Sequence, residues 1–305
     1  MVGSLAERIN EFKSRRQAVI LAHNYQNPDI QDIADYVGDS LGLSIQASRT
    51  PAKTIIFCGV NFMAETAAII SPEKQVFVPD PKAGCPMADM ITAERLRGLK
   101  EEFPGRPVVC YVNSSAEVKA ESDICCTSAN AIKVVKSLPD KEIIFIPDKF
   151  LGAYVQEHVP DKKMIIYEGY CPTHAKILPE HIEKAKRAHP FALVIVHPEC
   201  RPETIKAAHK ALSTDGMLKF VKESKVEEFI VGTEVGMLYR LQKENPDKRF
   251  YKVSDLVVCP NMKMTTIDKV LWSLEELEHL VTVPPAIAQK AKMAIERMLA
   301  VGRQD

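Results

Sequence analysis

Three of the eight cysteines in this 305-residue chain are followed by proline: Cys85-Pro86, Cys171-Pro172 and Cys259-Pro260. They stand 86 and 88 residues apart, a period close to the size of a small domain. The thiolate is the form of cysteine that binds metals, and a proline directly behind it stiffens the chain there. If a fold brings the three together, ligand count decides the chemistry. A structural zinc site wants four ligands and usually a close C-x₂₋₄-C pair, which this sequence lacks. Cys125 and Cys126 are adjacent, which suits neither zinc nor an unstrained disulfide. The three closely spaced cysteines of a radical-type iron–sulfur enzyme are also missing. Three converging thiolates suit a [4Fe–4S] cluster with one open iron, a Lewis acid for a substrate oxygen or nitrogen. Three buried free thiols are the other reading. Cys58, Cys110, Cys125, Cys126 and Cys200 sit in or beside apolar runs and read as core, although Cys200 borders a candidate site.

A second set of residues could move protons. AHNYQ (22–26) follows an apolar run and places His23, a general acid or base at neutral pH, near Tyr25. YVNSS (111–115) carries Tyr111, Val112 and Asn113, and on a strand Tyr111 and Asn113 face one side. HPE (197–199) repeats that geometry with His197 and Glu199 on either side of Pro198, an imidazole and a carboxylate together. A third set could hold anions. GDS (38–40), TSAN (127–130) and STDG (213–216) read as strand-to-helix turns bearing Ser40, Ser128 and Thr214. Free N–H groups and the helix dipole attract negative charge there. Neither GxGxxG nor GxxxxGK[ST] occurs, so the expected ligand is a small polyanion rather than a nucleotide.

These residues need elements to position them. Apolar β-rich runs alternate with helical patterns, which predicts parallel sheets flanked by helices. Four short strands are expected in each of three units: 18–23, 36–40, 54–60 and 75–80; 107–113, 123–128, 142–148 and 163–169; 192–199, 211–214, 228–233 and 249–255. Phe57, Phe145 and Phe229 recur 88 and 84 residues apart, and Ser40, Ser128 and Thr214 recur 88 and 86 apart. The fold class is therefore α/β, with repeats at 1–90, 91–176 and 177–264 and C-terminal helices over 265–305 packed on the outside. Ligands of open parallel sheets bind beyond the carboxyl ends of the strands. Three such ends around a pseudo-threefold axis would face one central cavity.

Charge is balanced, 40 basic against 40 acidic residues. No basic excess points to a nucleic-acid or membrane partner. The N-terminus lacks an apolar h-region and no apolar run could span a bilayer, so a cytoplasmic location with reduced thiols is expected.

AHNYQ, DIADYVGDS, YVNSSAE, TSAN, HPEC and the three cysteine-prolines together resemble the quinolinate synthase family of NAD biosynthesis, over residues 18–264. The resemblance implies three Rossmann-like αβα domains. It implies one [4Fe–4S] cluster per chain, held by Cys85, Cys171 and Cys259, with one open iron. It implies condensation of iminoaspartate with dihydroxyacetone phosphate, losing phosphate and two waters. A direct handover of iminoaspartate from an aspartate-oxidising enzyme stays open. His23, Tyr25, Tyr111, His197 and Glu199 would be catalytic. The substrate would lie among these residues, Val112, Asn113, Pro198 and the hydroxyls of Ser40, Ser128 and Thr214. Met262 stands where some members carry a second cysteine, which removes that disulfide. His174, one turn past Cys171, faces the cavity or merely packs; Lys219 reaches an intermediate or is solvated. A single-substrate iron–sulfur hydro-lyase would use the same open iron without three anion turns. A non-enzymatic iron–sulfur sensor would need a binding surface for a partner.

Overall fold

The computed structural model describes residues 4–304. Its elements repeat one order three times. The first unit runs α1 (Leu5–Arg16), β1 (Ala18–His23), α2 (Pro28–Ile33), β2 (Tyr36–Gly38), α3 (Ser40–Arg49), β3 (Thr54–Cys58), α4 (Asn61–Ile70) and β4 (Gln75–Phe77). The second runs α5 (Ala93–Glu102), β5 (Val108–Tyr111), α6 (Ala116–Ala120), β6 (Ile124–Cys126), α7 (Ala131–Ser137), β7 (Glu142–Ile146), α8 (Lys149–His158) and β8 (Lys163–Ile166). The third runs α9 (Pro179–Ala188), β9 (Leu193–Val196), α10 (Pro202–Ala207), β10 (Lys210–Ala211), α11 (Thr214–Glu223), β11 (Glu228–Gly232), α12 (Met237–Glu244) and β12 (Arg249–Lys252). The tail adds α13 (Ile267–Glu276) and α14 (Pro285–Val301).

Each unit holds a four-stranded sheet, in the orders β2-β1-β3-β4, β6-β5-β7-β8 and β10-β9-β11-β12. Every strand pair is parallel. The three sheets thus share one topology, that of three Rossmann-like αβα units. The expected strands are all present, most of them shorter at the C-terminal end. Some of the trimmed residues, such as Ser40, Asn113, Ser128, His197, Glu199 and Thr214, leave the ladder and line the site.

The third strands, TIIFC, EIIFI and EFIVG, are buried almost end to end. Helices cover both faces of a parallel sheet, so its strands read as continuous apolar runs. Side chains still alternate between faces. Ile20, Ala22, Ile56 and Cys58 pack with Ile9 of α1 and Val270, Leu271 and Leu274 of α13. Val19, Leu21, Ile55 and Phe57 face the large central core.

The two tail helices part company. α13 lies with α1 on the outer face of the first sheet. α14 seats one face across α4 of the first unit and α6, β6 and α7 of the second, and leaves its other face exposed. Its buried face of Ala291, Ala294, Ile295 and Met298 is narrow enough at the alanines for close approach. No helix among the described residues is long and apolar enough to cross a membrane.

Candidate active site and metal centre

The polar strand ends and the three cysteine-prolines meet in one cavity of about 180 Å³. In a strand order of the 2-1-3-4 kind, chain connections leave the first strand in opposite directions, which opens a crevice at its carboxyl end. His23, Tyr111 with Asn113, and His197 lie at those three ends, and all four side chains line the cavity.

Cys85, Cys171 and Cys259 line it too, half-buried and free of disulfides. Each is followed within a few residues by a single 3₁₀ turn, at Ala88–Met90, His174–Lys176 and Met262–Met264. The sulfur accepts backbone N–H bonds from that turn: Met87 and Ala88 to Cys85, His174 to Cys171, Asn261 and Met262 to Cys259. The thiol thus stands where an N-cap side chain stands, and the proline costs nothing because no N–H is needed at its position. This local motif is the physical content of the recurring Cys-Pro. Burial nevertheless pushes Cys85 up to about 12 and raises Cys171 and Cys259 as well; the Glu199 charge and a neighbouring cysteine add to it at Cys85 and Cys171, and the Glu234 charge at Cys259. Three buried thiols beside one another ionise only if a positive charge joins them. The donor set and its N–H support therefore fit a cationic metal–sulfur group. Cys171, His174 and Glu199 also place their ligand atoms within 4.8 Å of one another.

Next to the cysteines runs a chain of short hydrogen bonds. The Tyr25 hydroxyl and Thr233 Oγ1 are 2.6 Å apart, and Thr233 Oγ1 lies 2.9 Å from His174 Nε2. His174 Nδ1 is 2.7 Å from Glu199 Oε2 and 3.2 Å from the Cys171 sulfur. Tyr111 donates to Glu199 Oε1 at 2.5 Å, and Asn113 donates to the same oxygen at 3.4 Å. Burial works to raise Glu199, but His174 and the Tyr111 hydroxyl overcome it and hold the carboxyl well below its usual range. The tyrosines go the other way: burial and the Glu199 charge raise both Tyr25 and Tyr111. They stay neutral and can donate. Burial lowers His23 to about 4 and His197 to about 3, so both rings are neutral at pH 7. Asn113 Oδ1 is buried without a protein partner and borders the cavity.

At the other end stand the hydroxyl turns. Ser40 opens α3 behind its cap Asp39, and Thr214 opens α11 behind its cap Ser213. Ser128 precedes α7 and lies 3.2 Å from His197 Nε2. All three line the cavity. Thr214 Oγ1 accepts from Asn24 at 2.7 Å.

Two expected neighbours lie elsewhere. Val112 borders a small void behind Ser40, and Pro198 faces an outer cleft beside Ser128 and Ser213. Each alternates with residues that point inward, which turns its own side chain away. His174 is buried in the cavity wall, whereas Lys219 is exposed on α11. Cys58, Cys110, Cys125, Cys126 and Cys200 are fully buried. Sequence reasoning missed Thr233, Asn24, Asp39, Arg240 and Arg303. For Thr233 a signal existed. The third strands are followed by Pro147-Asp148 and Thr233-Glu234, polar ends like those of the first strands.

The family model for quinolinate synthetase A protein matches residues 7–300. A quinolinate synthase of Dehalococcoides mccartyi (strain CBDB1) is 58% identical over 297 residues, covering 97% of this chain and 98% of that protein. One of Methanosarcina barkeri (strain Fusaro / DSM 804) is 56% identical over 297 residues, with 97% of each chain covered. One of Thermodesulfovibrio yellowstonii is 52% identical over 301 residues, with 99% of each covered.

Proposed function

The chain belongs to the quinolinate synthase family, and from that premise we propose how its cavity divides the work. Its substrates are small molecules. In our reading they are iminoaspartate and dihydroxyacetone phosphate, condensed in the cytoplasm to quinolinate with loss of phosphate and two waters. Residues 1–90, 91–176 and 177–264 act as three domains around the cavity, with 265–305 as the tail. Cys85, Cys171 and Cys259, one from each domain, would hold a [4Fe–4S] cluster whose fourth iron is left to the substrate. When bound, that cluster supplies a Lewis acid next to the carboxylate, nitrogen or departing hydroxyl of the substrate.

Everything else is done by side chains. The Ser40 and Thr214 hydroxyls, with Ser128, hold the phosphate, where free N–H groups of α3 and α11 favour negative charge. Asn113 has an unsatisfied Oδ1 for a donor on the imine substrate, and Tyr111 orients the Glu199 carboxylate beside it. Tyr25 is neutral and near Thr233 and His174, so a proton given up by its hydroxyl to substrate is replaced along that line. This suits the keto–aldo isomerisation of the triose and the dehydrations. Neutral His23 accepts a proton at the triose. His197, with Glu199 beside it, does the same near the imine nitrogen during ring closure. The cavity is walled by all three units, which keeps water from a hydrolysable imine.

The observation that carries this reading is the convergence of three cysteine-prolines, the Tyr25–Thr233–His174–Glu199 line and three hydroxyl turns on one small cavity. The test is anaerobic. Protein with reconstituted cluster is given dihydroxyacetone phosphate and iminoaspartate formed from oxaloacetate and ammonia, and quinolinate is measured by chromatography. Cys171→Ala serves as control. Quinolinate from the parent alone is the expected result. None from a parent shown to hold four irons would overturn the reading.

A further inference from the structure

We infer that Arg303, just past the end of α14, is a specificity-determining residue of the anion pocket: its guanidinium neutralises Asp39 and Asp215 beneath the Ser40 and Thr214 turns, and so lets those turns hold a phosphate ester. The inference rests on the functional reading above.

The cavity presents a puzzle of charge. Among its lining residues Lys176 is the one lysine or arginine, while Asp39, Glu199 and Glu234 are acidic. Asp39 is the more awkward, because it caps α3 immediately before Ser40 and is only 5% exposed. Its carboxylate accepts from the Gly42 N–H at 2.7 Å. Asp215, next to Thr214, is close enough to repel it. Burial and Asp39 push Asp215 up to about 6, against the pull of Asn24, Arg240 and Arg303. Two carboxylates in poorly solvated surroundings would reject an incoming phosphate.

The compensating charge comes from behind the lining. Arg303 grips Asp39 with both nitrogens, at 3.1 and 2.8 Å, and lies 3.6 Å from Asp215. It also reaches Ser213 Oγ at 3.4 Å. Arg240 completes the arrangement from the third unit, 3.1 Å from Asp215 and 2.5 Å from Asn24 Oδ1. The two-pronged contact is one that arginine makes and lysine does not.

The backbone holds Arg303 in place. Gly302 ends α14 with φ 69° and ψ −167°, a region for glycine alone, and turns the chain back toward the pocket. Gln304 then donates its N–H to Ala129 O at 3.0 Å, and Lys133 N–H bonds Gln304 Oε1 at 2.9 Å. The tail is thereby fastened to the second unit while its guanidinium pairs with the first and third.

Steady-state kinetics of the anaerobic holoenzyme separate this role from that of a mere latch. Triose phosphate is varied at saturating iminoaspartate. Arg303→Gln should raise the KM for triose phosphate about tenfold, with kcat within about threefold. Arg303→Lys should recover part of that loss. Asp39→Asn in the Arg303→Gln background should recover it too, because the charge to be neutralised is gone and asparagine still caps α3. An unchanged KM in Arg303→Gln would overturn the inference, and so would a loss in kcat alone that Asp39→Asn does not relieve. If melting shows that Arg303→Gln does not fold, Asp39→Asn alone decides: its KM for triose phosphate should fall, and no fall overturns the claim. A parent that makes no quinolinate points instead to failure of the functional reading.

Discussion

Thr233 is a small residue with large reach. Its one hydroxyl meets both the Tyr25 hydroxyl and His174 Nε2, so it links a residue of the first unit to one that follows the second cysteine. Thr233→Val keeps the shape and removes the link. We expect kcat to fall about tenfold or more with the iron content unchanged; measured kcat equal to the parent's would remove Thr233 from the proton path. Tyr25→Phe should stop turnover with the cluster spectrum intact. The two depressed histidines make a prediction about stability. Unfolded, His23 and His197 take up protons near pH 6.5, whereas in the folded protein they resist until about pH 4 and about 3. Below pH 6.5 the unfolded chain binds more protons, so stability drops as pH falls through this window. Urea unfolding of cluster-free protein should give lower stability at pH 5 than at pH 7, and His197→Gln should flatten the difference. A parent curve that does not change between the two would refute the assignment of neutral buried rings.

Among the elements, the cysteine-proline turns and the end of α14 do the positioning. Each turn points N–H groups at a sulfur through purely local geometry, which is why the same dipeptide serves in three places. The end of α14 depends on one torsion. Gly302→Ala puts a Cβ on a backbone that L-residues avoid, at a cost of about 1–3 kcal/mol. Nothing crowds that Cβ, so the strain is relieved by letting the tail leave its seat. The expected result is a KM for triose phosphate raised as in Arg303→Gln, with little change in melting temperature because the helix body stays packed. A normal KM would mean that the tail holds its place without the turn. Gly236 is a different case. A Cβ there would come within 2.8 Å of the Tyr25 carbonyl carbon and oxygen, so this glycine permits the third unit to close against the first beside the proposed proton donor.

The whole molecule is three similar units whose shared site lies between them. Their sheets have the same order, and no unit carries more than one of the three cavity cysteines. A group held by Cys85, Cys171 and Cys259 would tie the three units together, and binding to the folded state alone raises stability by mass action. Anaerobically reconstituted protein should therefore melt at a higher temperature than cluster-free protein. Replacing any one of the three cysteines by serine should remove most of the gain, since each cuts one unit loose. A gain that survives Cys171→Ser would contradict ligation from all three units.

The sequence by itself determined what repeats or is local: the three units, their parallel strands, the cysteine-prolines and the hydroxyl turns. Periodic patterning and turn chemistry act between near neighbours, so a linear reading finds them. It also picked out strand-end residues that line the cavity, while at Val112 and Pro198 a two-residue alternation turns the side chain away from it. Only the tertiary structure decided the rest. Arg303 meets Asp39 across 264 positions of chain, and Tyr25 meets Thr233 across 208. Such pairs leave no local pattern, because what selects them is the charge or hydrogen bond that a buried partner lacks once the units have packed. The tail shows the difference plainly: its helical periodicity was legible, but its place against two units and the seat of its last arginine on Asp39 were set by how the units pack.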